Sequence, residues 1–322
     1  MYNLEINYSF EDQYINRRLD IFLAEKTGLS RSQIRLNIKE KRISVNNKIA
    51  EKAGLPLKQN DIISGFLCLL PEKDEDILPE DIEIDIIYED KDLIVLNKPA
   101  DLIVHPTDYL KEGTLVNALL YKYAKELSDL DESRPGIIHR LDKDTTGLML
   151  VAKNNIAHAH LSKQLAQRTL KRTYWAVVDG LLSANEGSIC ASIGRNPRDR
   201  KKMAVLPENY VKSRYALTEW ELLEEFQKHS LVKINLQTGR THQIRVHFSY
   251  IKHPVLGDPT YGNKHSRNIL INRQCLHAKE IRFIHPTKEK EMHFECELPD
   301  DFKEVLKVLG SNFIQKPISE VS

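Results

Sequence analysis

Between two apolar runs the chain reads His139-Arg140-Leu141-Asp142-Lys143-Asp144-Thr145-Thr146-Gly147, a polar loop that sets one carboxylate between an arginine and a lysine. Ile137-Ile138 precede it and Leu148-Met149-Leu150-Val151 come after it, and Thr-Thr-Gly suits a tight return between two strands. Reactive groups collect on loops pinned by buried strands in this way. An opposite charge close by favours the ionised form of a carboxylate, so Arg140 and Lys143 are expected to keep Asp142 charged. A charged Asp142 is competent as nucleophile or base. For an arbitrary Arg-Leu-Asp the commoner meaning is a surface turn with an ion pair.

Two further strings carry polar groups in ordered surroundings. Along Leu170-Lys171-Arg172-Thr173-Tyr174-Trp175-Ala176-Val177-Val178-Asp179-Gly180, strand alternation sends Tyr174, Ala176 and Val178 to one face and Trp175 and Val177 to the other. In Thr238-Gly239-Arg240-Thr241-His242-Gln243-Ile244-Arg245-Val246-His247 the Thr-Gly pair makes a turn, and periodicity leaves helix and strand both open for the residues from Gln243 onward. His242 and His247 invite a metal, but no third ligand stands at a recognisable spacing. His158 and His160, two apart on a helix, point to different faces, so a zinc pair is not expected there either.

Taken together, these strings closely resemble the motifs of the RluA-type pseudouridine synthases. The signature loop of that family commonly reads His-Arg-Leu-Asp-x-x-Thr-Ser-Gly, with Thr146 here in place of the serine. Arg172 to Gly180 matches Lys/Arg-x-Tyr-x-Ala-x-Val-x-Gly, and Gly239 to His247 matches a third motif almost letter for letter. Leu96-Asn97-Lys98-Pro99, His253-Pro254-Val255-Leu256-Gly257-Asp258 and Leu276-His277-Ala278 also fall in family order, so the likeness runs from Leu93 to about Leu298. Asp101 stands where glycine is more usual.

The resemblance implies an α+β fold, the pseudouridine synthase catalytic fold with a bent mixed, largely antiparallel sheet. It nominates Asp142 as the essential catalytic residue and Arg245 as its partner, whose always-charged fork can fix the carboxylate in one rotamer. By the same resemblance Tyr174 is expected to stack on the target base, which fits the need of a base drawn from its stack for a replacement π-face. Arg140 enters the gap left by the flipped nucleotide and Leu276 forms an apolar wall under the base, while His139, Gln243 and Arg240 are expected substrate contacts from the same motifs. Lys98 and His105 are candidates for touching substrate, His105 the more structural of the two. The implied reaction isomerises uridine in RNA to pseudouridine: the N-glycosidic bond breaks, uracil turns, and its carbon-5 joins the sugar. Nothing is oxidised and no group leaves, so neither cofactor nor metal is expected, in keeping with the lack of a Gly-rich phosphate loop or nucleotide fingerprint. Whether Asp142 attacks C1′ or removes a ribose proton stays open.

The elements ahead of this region read as a basic module. Leu19, Phe22 and Leu23 share a helical face that Gly28 ends, and Ser30 with Gln33 forms a capping box for a second helix. On that helix Ile34 and Ile38 face inward while Arg31, Arg35 and Lys39 form a stripe. A strand Ile43-Ser44-Val45, an Asn46-Asn47 turn and a closing strand at Asp61-Ile62-Ile63 come next. Ile15 to Lys52 carries a net charge of +6, the footprint of phosphate-backbone binding, and its string order resembles the RNA-binding module of ribosomal protein S-four type. Arg17, Arg18, Arg31, Arg35, Lys39 and Arg42 are the expected RNA contacts here. Arg198, Arg200 and Lys201, in a loop of net charge +4 from Gly194 to Met203, are the expected contacts from the catalytic part.

Residues 72 to 92 reverse the sign at −9, and Pro71 and Pro79 punctuate them. The expected organisation is therefore an S-four-like domain at 13–70, an acidic linker at 71–83, a synthase domain at 84–310 and a polar, frayed tail at 311–322. At 322 residues, 41% hydrophobic and 29% charged, the chain has the composition of an ordinary globular protein. Its net charge of +1 decides nothing about nucleic acid. Four scattered cysteines without a CxxC pair give no zinc knuckle or disulfide framework. The N-terminus lacks a basic region followed by an apolar core, and no apolar run approaches the ~18 residues of a membrane span. A cytoplasmic monomer without membrane contacts is expected, acting on RNA: large-subunit ribosomal RNA first, transfer RNA as the alternative. Rival readings are a non-catalytic ribosome-assembly factor and a metal-dependent RNA hydrolase using His242 and His247.

Overall fold

The computed structural model describes residues 2–10, 17–29, 31–69, 77–107, 110–131, 134–262 and 271–315. The chain forms two compact units, Met1–Asp76 and Ile77–Ser322. In the first, strand β1 (Tyr2–Ser9) precedes helices α1 (Leu19–Thr27) and α2 (Arg31–Lys39) and strands β2 (Ile43–Val45), β3 (Lys48–Ile49) and β4 (Ile62–Leu69), in a sheet of order β1-β4-β2-β3. Leu19, Phe22 and Leu23 of α1 and Ile34 and Ile38 of α2 pack with Ile6, Ile43, Ile63 and Leu67 in one core. Gly28 caps α1 in the left-handed conformation that glycine adopts without a Cβ penalty. Asn46 and Asn47, with φ of 52° and 63°, make the two-residue turn between β2 and β3. The capping box expected at Ser30 lies outside the described residues. Strand β1 pairs with β4 along its whole length, so the compact unit takes in residues ahead of the S-four-like segment.

The second unit is built on strands β5 (Asp85–Glu89), β6 (Leu93–Lys98), β7 (Thr146–Ala152), β8 (Lys171–Asp179), β9 (Glu186–Cys190), β10 (Ile193–Arg195), β11 (Met203–Val205), β12 (Leu217–Glu225), β13 (His229–Leu236), β14 (Leu276–Ile284) and β15 (Glu291–Glu295). Its helices are α3 (Leu115–Tyr123), α4 (Asn155–Ala166), α5 (Gln243–Tyr250), α6 (Asp300–Val308) and α7 (Asn312–Gln315). Nine strands form one mixed sheet of order β5-β6-β7-β14-β8-β13-β12-β9, with β15 also on β14 and only β7 and β14 parallel. β10 and β11 make a separate hairpin.

Burial explains the sequence of the central strands. β6 and β7 read as continuous apolar runs because both their faces are covered: Ile94, Leu96, Met149 and Val151 belong to one core and Leu93, Val95, Leu148 and Leu150 to another. β8 alternates as expected, with Tyr174, Ala176 and Val178 in the first core and Val177 in a third, beneath Phe302, Val305 and Leu306 of α6. These residues of α6 recur at i, i+3 and i+4.

Several expected elements differ. Ile137-Ile138 is no strand; Ile137 makes a single bridge to Val151. Leu102 to Val104 likewise keeps only the bridge from Ile103 to Thr114. On α4 the apolar Ile156 is 74% exposed, while Ala157 is buried alongside Leu161. Residues 77–83, expected as linker, lie on the second unit, where Asn117 donates to Leu78 O and Glu80 accepts from Gly113 N. The expected frayed tail is tied down at its start, with Asn312 N donating to Glu224 and Phe313 edge-on to Trp175.

The parallel contact at the middle of the sheet is tight. Gly147 faces Ala278 with φ 111°, and a Cβ there would meet Ala278 O at 2.3 Å. Gly147→Ala is expected to cost about 3 kcal/mol through left-handed strain and backbone collision. Urea unfolding measures it, and an unchanged midpoint contradicts the close approach.

Candidate active site

Asp142 lies on the loop that feeds β7, and Arg245 in the first turn of α5. Arg245 Nη1 donates to Asp142 Oδ2 at 2.9 Å, joining residues 103 positions apart. The same guanidinium donates Nε and Nη2 to Asp258 Oδ2 and Oδ1, at 2.7 and 2.9 Å. Asp258 is fully buried and also accepts the N–H groups of Thr260 and Tyr261. Burial alone would raise the pKa of this carboxyl, but Arg245 and the two backbone donors outweigh it and hold it below its usual value. Burial likewise opposes the charge on Arg245, and the carboxylates of Asp258 and Asp142 more than restore it. One Asp142 oxygen is thus fixed and Oδ1 is left free, on a side chain 18% exposed.

Other groups hold the loop from behind. Lys98 is completely buried, and its ammonium donates to Pro99 O, Leu102 O and Lys143 O at 2.6, 2.9 and 2.8 Å. Arg273 donates to Asp144 O, Gln274 to Thr145 Oγ1, and Thr146 Oγ1 meets His277 Nδ1 at 2.8 Å. His139 Nε2 accepts Leu150 N–H at 3.1 Å, and burial pushes this imidazole down to about 3, so it is a neutral staple between loop and strand.

The loop opens on a cavity of about 490 Å³, of the size that takes a small ligand. Tyr174 from β8 and Leu276 from β14 line it with Asp142 and Arg245, beside Arg140, Arg172, Arg240 and His242. The expected trio of Asp142, Tyr174 and Arg245 therefore shares one cleft with His139, Arg140, Leu276, Gln243 and Arg240. Their surroundings separate their capacities. Gln243 is 3% exposed and spends its amide on Thr238, Arg240 N, Leu217 O and Thr218, so it staples its own turn and has nothing left for substrate. Arg240 is exposed and anchored by Nε to Tyr215 O. Arg140 reaches His105 Nε2 at 3.2 Å. The cation on Asp142 is Arg245, the partner the family motif implied, and not the neighbouring Lys143, which pairs with Asp101 at 2.6 Å. Lys98, a candidate substrate contact, is enclosed by carbonyls. The sequence alone assigned no role to Asp258 or Arg172, and to His242 only the one in the rival metal reading.

Away from the cleft, Arg198, Arg200 and Lys201 stand exposed between β10 and β11. In the N-terminal unit Arg18 and Arg35 both bind the buried carboxylate of Asp20, at 2.9 and 3.2 Å. Arg17 pairs with Glu25, and Arg42 donates to Asn37 at 3.2 Å. The expected RNA contacts thus also hold their own module together, while Lys39 is exposed and Arg31's side chain lies outside the described residues. His247, half of the expected metal pair in the rival reading, is buried on Thr218 and Ala191 O at 2.9 Å each. Among the described residues one group, Asp90, Asp92 and His285, has the spacing of metal ligands, and Lys288 Nζ already sits 2.7 Å from Asp90.

A family model described as RNA pseudouridylate synthase matches residues 92–250, and an S4 domain model matches 17–63. The chain is 40% identical over 311 residues to an uncharacterized RNA pseudouridine synthase of Bacillus subtilis, covering 96% of this chain and 99% of the relative. Ribosomal large subunit pseudouridine synthase D of Escherichia coli K12 is 38% identical over 324 residues, 96% of each chain. The chain belongs to the RNA pseudouridine synthase family. Among solved structures, human RNA pseudouridylate synthase domain containing 1 is similar with a TM-score of 0.55 at 28% identity, covering 68% of this chain and 85% of that one. The synthase isomerises uridine in RNA to pseudouridine and carries an S4 RNA-binding domain at its N-terminus.

Lys98 makes the enclosure of the loop measurable in this synthase. Burial pushes its pKa from 10.5 to about 7, although Asp144 and Asp142 pull the other way. Between those values the unfolded chain binds more protons than the folded one, so this group makes stability rise with pH. Relative to Lys98→Met, the wild type is expected to gain on the order of a few kcal/mol from pH 7 to 10.5 in urea unfolding. A stability difference that is flat across this range contradicts the lowered pKa of Lys98.

Proposed function

We propose that the synthase modifies uridine in large-subunit ribosomal RNA, with Asp142 as the group that acts on the sugar. The observation that carries the catalytic assignment is the fixing of Asp142 Oδ2 by Arg245 inside a cleft walled by Tyr174 and Leu276. A carboxylate gripped by an always-charged guanidinium is held in one rotamer, and its second oxygen is left for the space where substrate sits. Tyr174 is 4% exposed, with its ring at the cleft wall, and offers a π-face to the extruded uracil. Leu276 supplies the apolar floor. Arg140, exposed at the rim, fills the gap in the RNA stack.

In the reaction, Asp142 Oδ1 attacks C1′ or takes the proton from C2′ while the glycosidic pair leaves on uracil N1; the turned base then joins C1′ through C5 as the Oδ1–C1′ bond breaks or the proton goes back to C2′. The proton on C5 is released and N1 is protonated, so atoms and charges balance without a redox partner. Support for a ribosomal target comes from the full-length likeness to an enzyme named for that subunit, together with the basic S4 domain. Arg198, Arg200 and Lys201 are positioned as further phosphate contacts on the catalytic unit.

Asp142→Asn is expected to bind RNA within a few-fold of wild type and to lose turnover on the order of 10³-fold or more, read as tritium release from carbon-5-labelled uridine. In cells lacking the gene, wild type should restore a pseudouridine in large-subunit ribosomal RNA and Asp142→Asn should not. Restoration by the variant removes Asp142 from its role, and a lost pseudouridine found only in transfer RNA overturns the ribosomal target.

A further inference from the structure

One polar side chain in the cleft has no part in holding Asp142 or its loop. His242 immediately precedes α5 with φ 55° and ψ 23°, a left-handed backbone that a β-carbon disfavours. It makes no side-chain bond to the helix it precedes, and its imidazole lines the cleft. Strained conformations of this kind persist where the surroundings over-determine them.

Here the surroundings are Tyr261, whose hydroxyl lies 2.9 Å from His242 Nδ1 with the two rings edge to face at 5.7 Å. The Tyr261 oxygen also accepts the N–H of Met203 at 2.8 Å. A phenol has one proton to give, and among the described residues His242 Nδ1 is its hydrogen-bond acceptor. Nδ1 therefore accepts, and donor accounting puts the imidazole proton on Nε2. That nitrogen is 3.9 Å from Asp142 Oδ1, the oxygen that Arg245 leaves free. At this separation the N–H is not spent on the carboxylate. It faces the same space that the reacting sugar must enter.

We propose that His242 donates its Nε2–H to the 2′-hydroxyl oxygen of the target uridine, so that the enzyme verifies a ribose at the point of reaction. The inference rests on Asp142 acting on the sugar. Whether Oδ1 touches C1′ or the proton on C2′, the 2′-oxygen is within two bonds of the atom it reaches, and a donor beside Oδ1 is beside that oxygen too. The 2′-hydroxyl both donates and accepts, so it can meet a carboxylate oxygen and an imidazole N–H together. Tyr261, which fixes the tautomer, is a positioning residue.

The test is a substrate cycle. The target-containing RNA fragment is prepared with uridine or 2′-deoxyuridine at the one position, and kcat/KM and Kd are measured with wild type and variants. His242→Gly removes the ring and suits the left-handed backbone, so it relieves strain where it deletes the donor. Wild type should prefer the ribose form roughly tenfold, and His242→Gly should bring that preference close to unity. His242→Gln, whose amide can replace the donor, should recover part of it. Tyr261→Phe keeps the ring but frees its tautomer, so the preference should fall partway. A preference of wild-type size in His242→Gly overturns the proposal, as does a wild type that does not discriminate. An active Asp142→Asn enzyme removes the reading beneath the proposal, whereas an inactive one with undiminished ribose preference in His242→Gly removes the proposal alone.

Discussion

A single guanidinium bound by two carboxylates holds the candidate site in place. Arg245 is 5% exposed and Asp258 is fully buried, and neither charge would survive at that depth alone. Losing one partner of a buried pair leaves an uncompensated charge and typically costs about 3–5 kcal/mol. Asp258 takes two of the donors of Arg245, which fixes the plane of the fork, and the remaining Nη1 is thereby aimed at Asp142. The turn after Val255, the first turn of α5 and the loop ahead of β7 must meet for this to happen. The mixed sheet is the frame that brings them together.

The loop carrying Asp142 is held by backbone acceptors as much as by side-chain pairs. Lys98, Arg273 and Gln274 take up carbonyls and a hydroxyl on its inner side, so Asp142 and Arg140 are what it offers to the cleft. Fixed groups of this kind need little reorganisation when charge moves beside them. Arginines line the rest of the cavity, and the chain's near-neutral total charge conceals that local concentration.

Much of this was legible in the residues. The runs at 93–96 and 148–151 announce strands covered on both faces, and the alternation from Tyr174 to Val178 announces one face of a core. The pairing of Asp142 with Arg245 carries no local signal across 103 positions and was readable only through likeness to family motifs. Asp258 escaped because a Gly-Asp-Pro string reads as a turn, and nothing in it reveals a buried carboxylate. Lys98 read as a substrate contact because its real partners are three carbonyls, which leave no trace in side-chain types. Arg18 and Arg35 read as free phosphate ligands, while Asp20, two residues from the first, claims both. Ile137 and Ile103 have strand-like neighbours but each finds only a single bridging partner, so propensity there was overruled by register.

The most direct measurement is a crystal structure of the Asp142→Asn enzyme bound to its RNA target. The account requires the extruded uridine in the cleft, its C1′ and C2′ against the side chain of residue 142, its uracil on the ring of Tyr174, and Arg245 still gripping Asp258. A target ribose seated elsewhere, with residue 142 facing bulk water or protein alone, would contradict it.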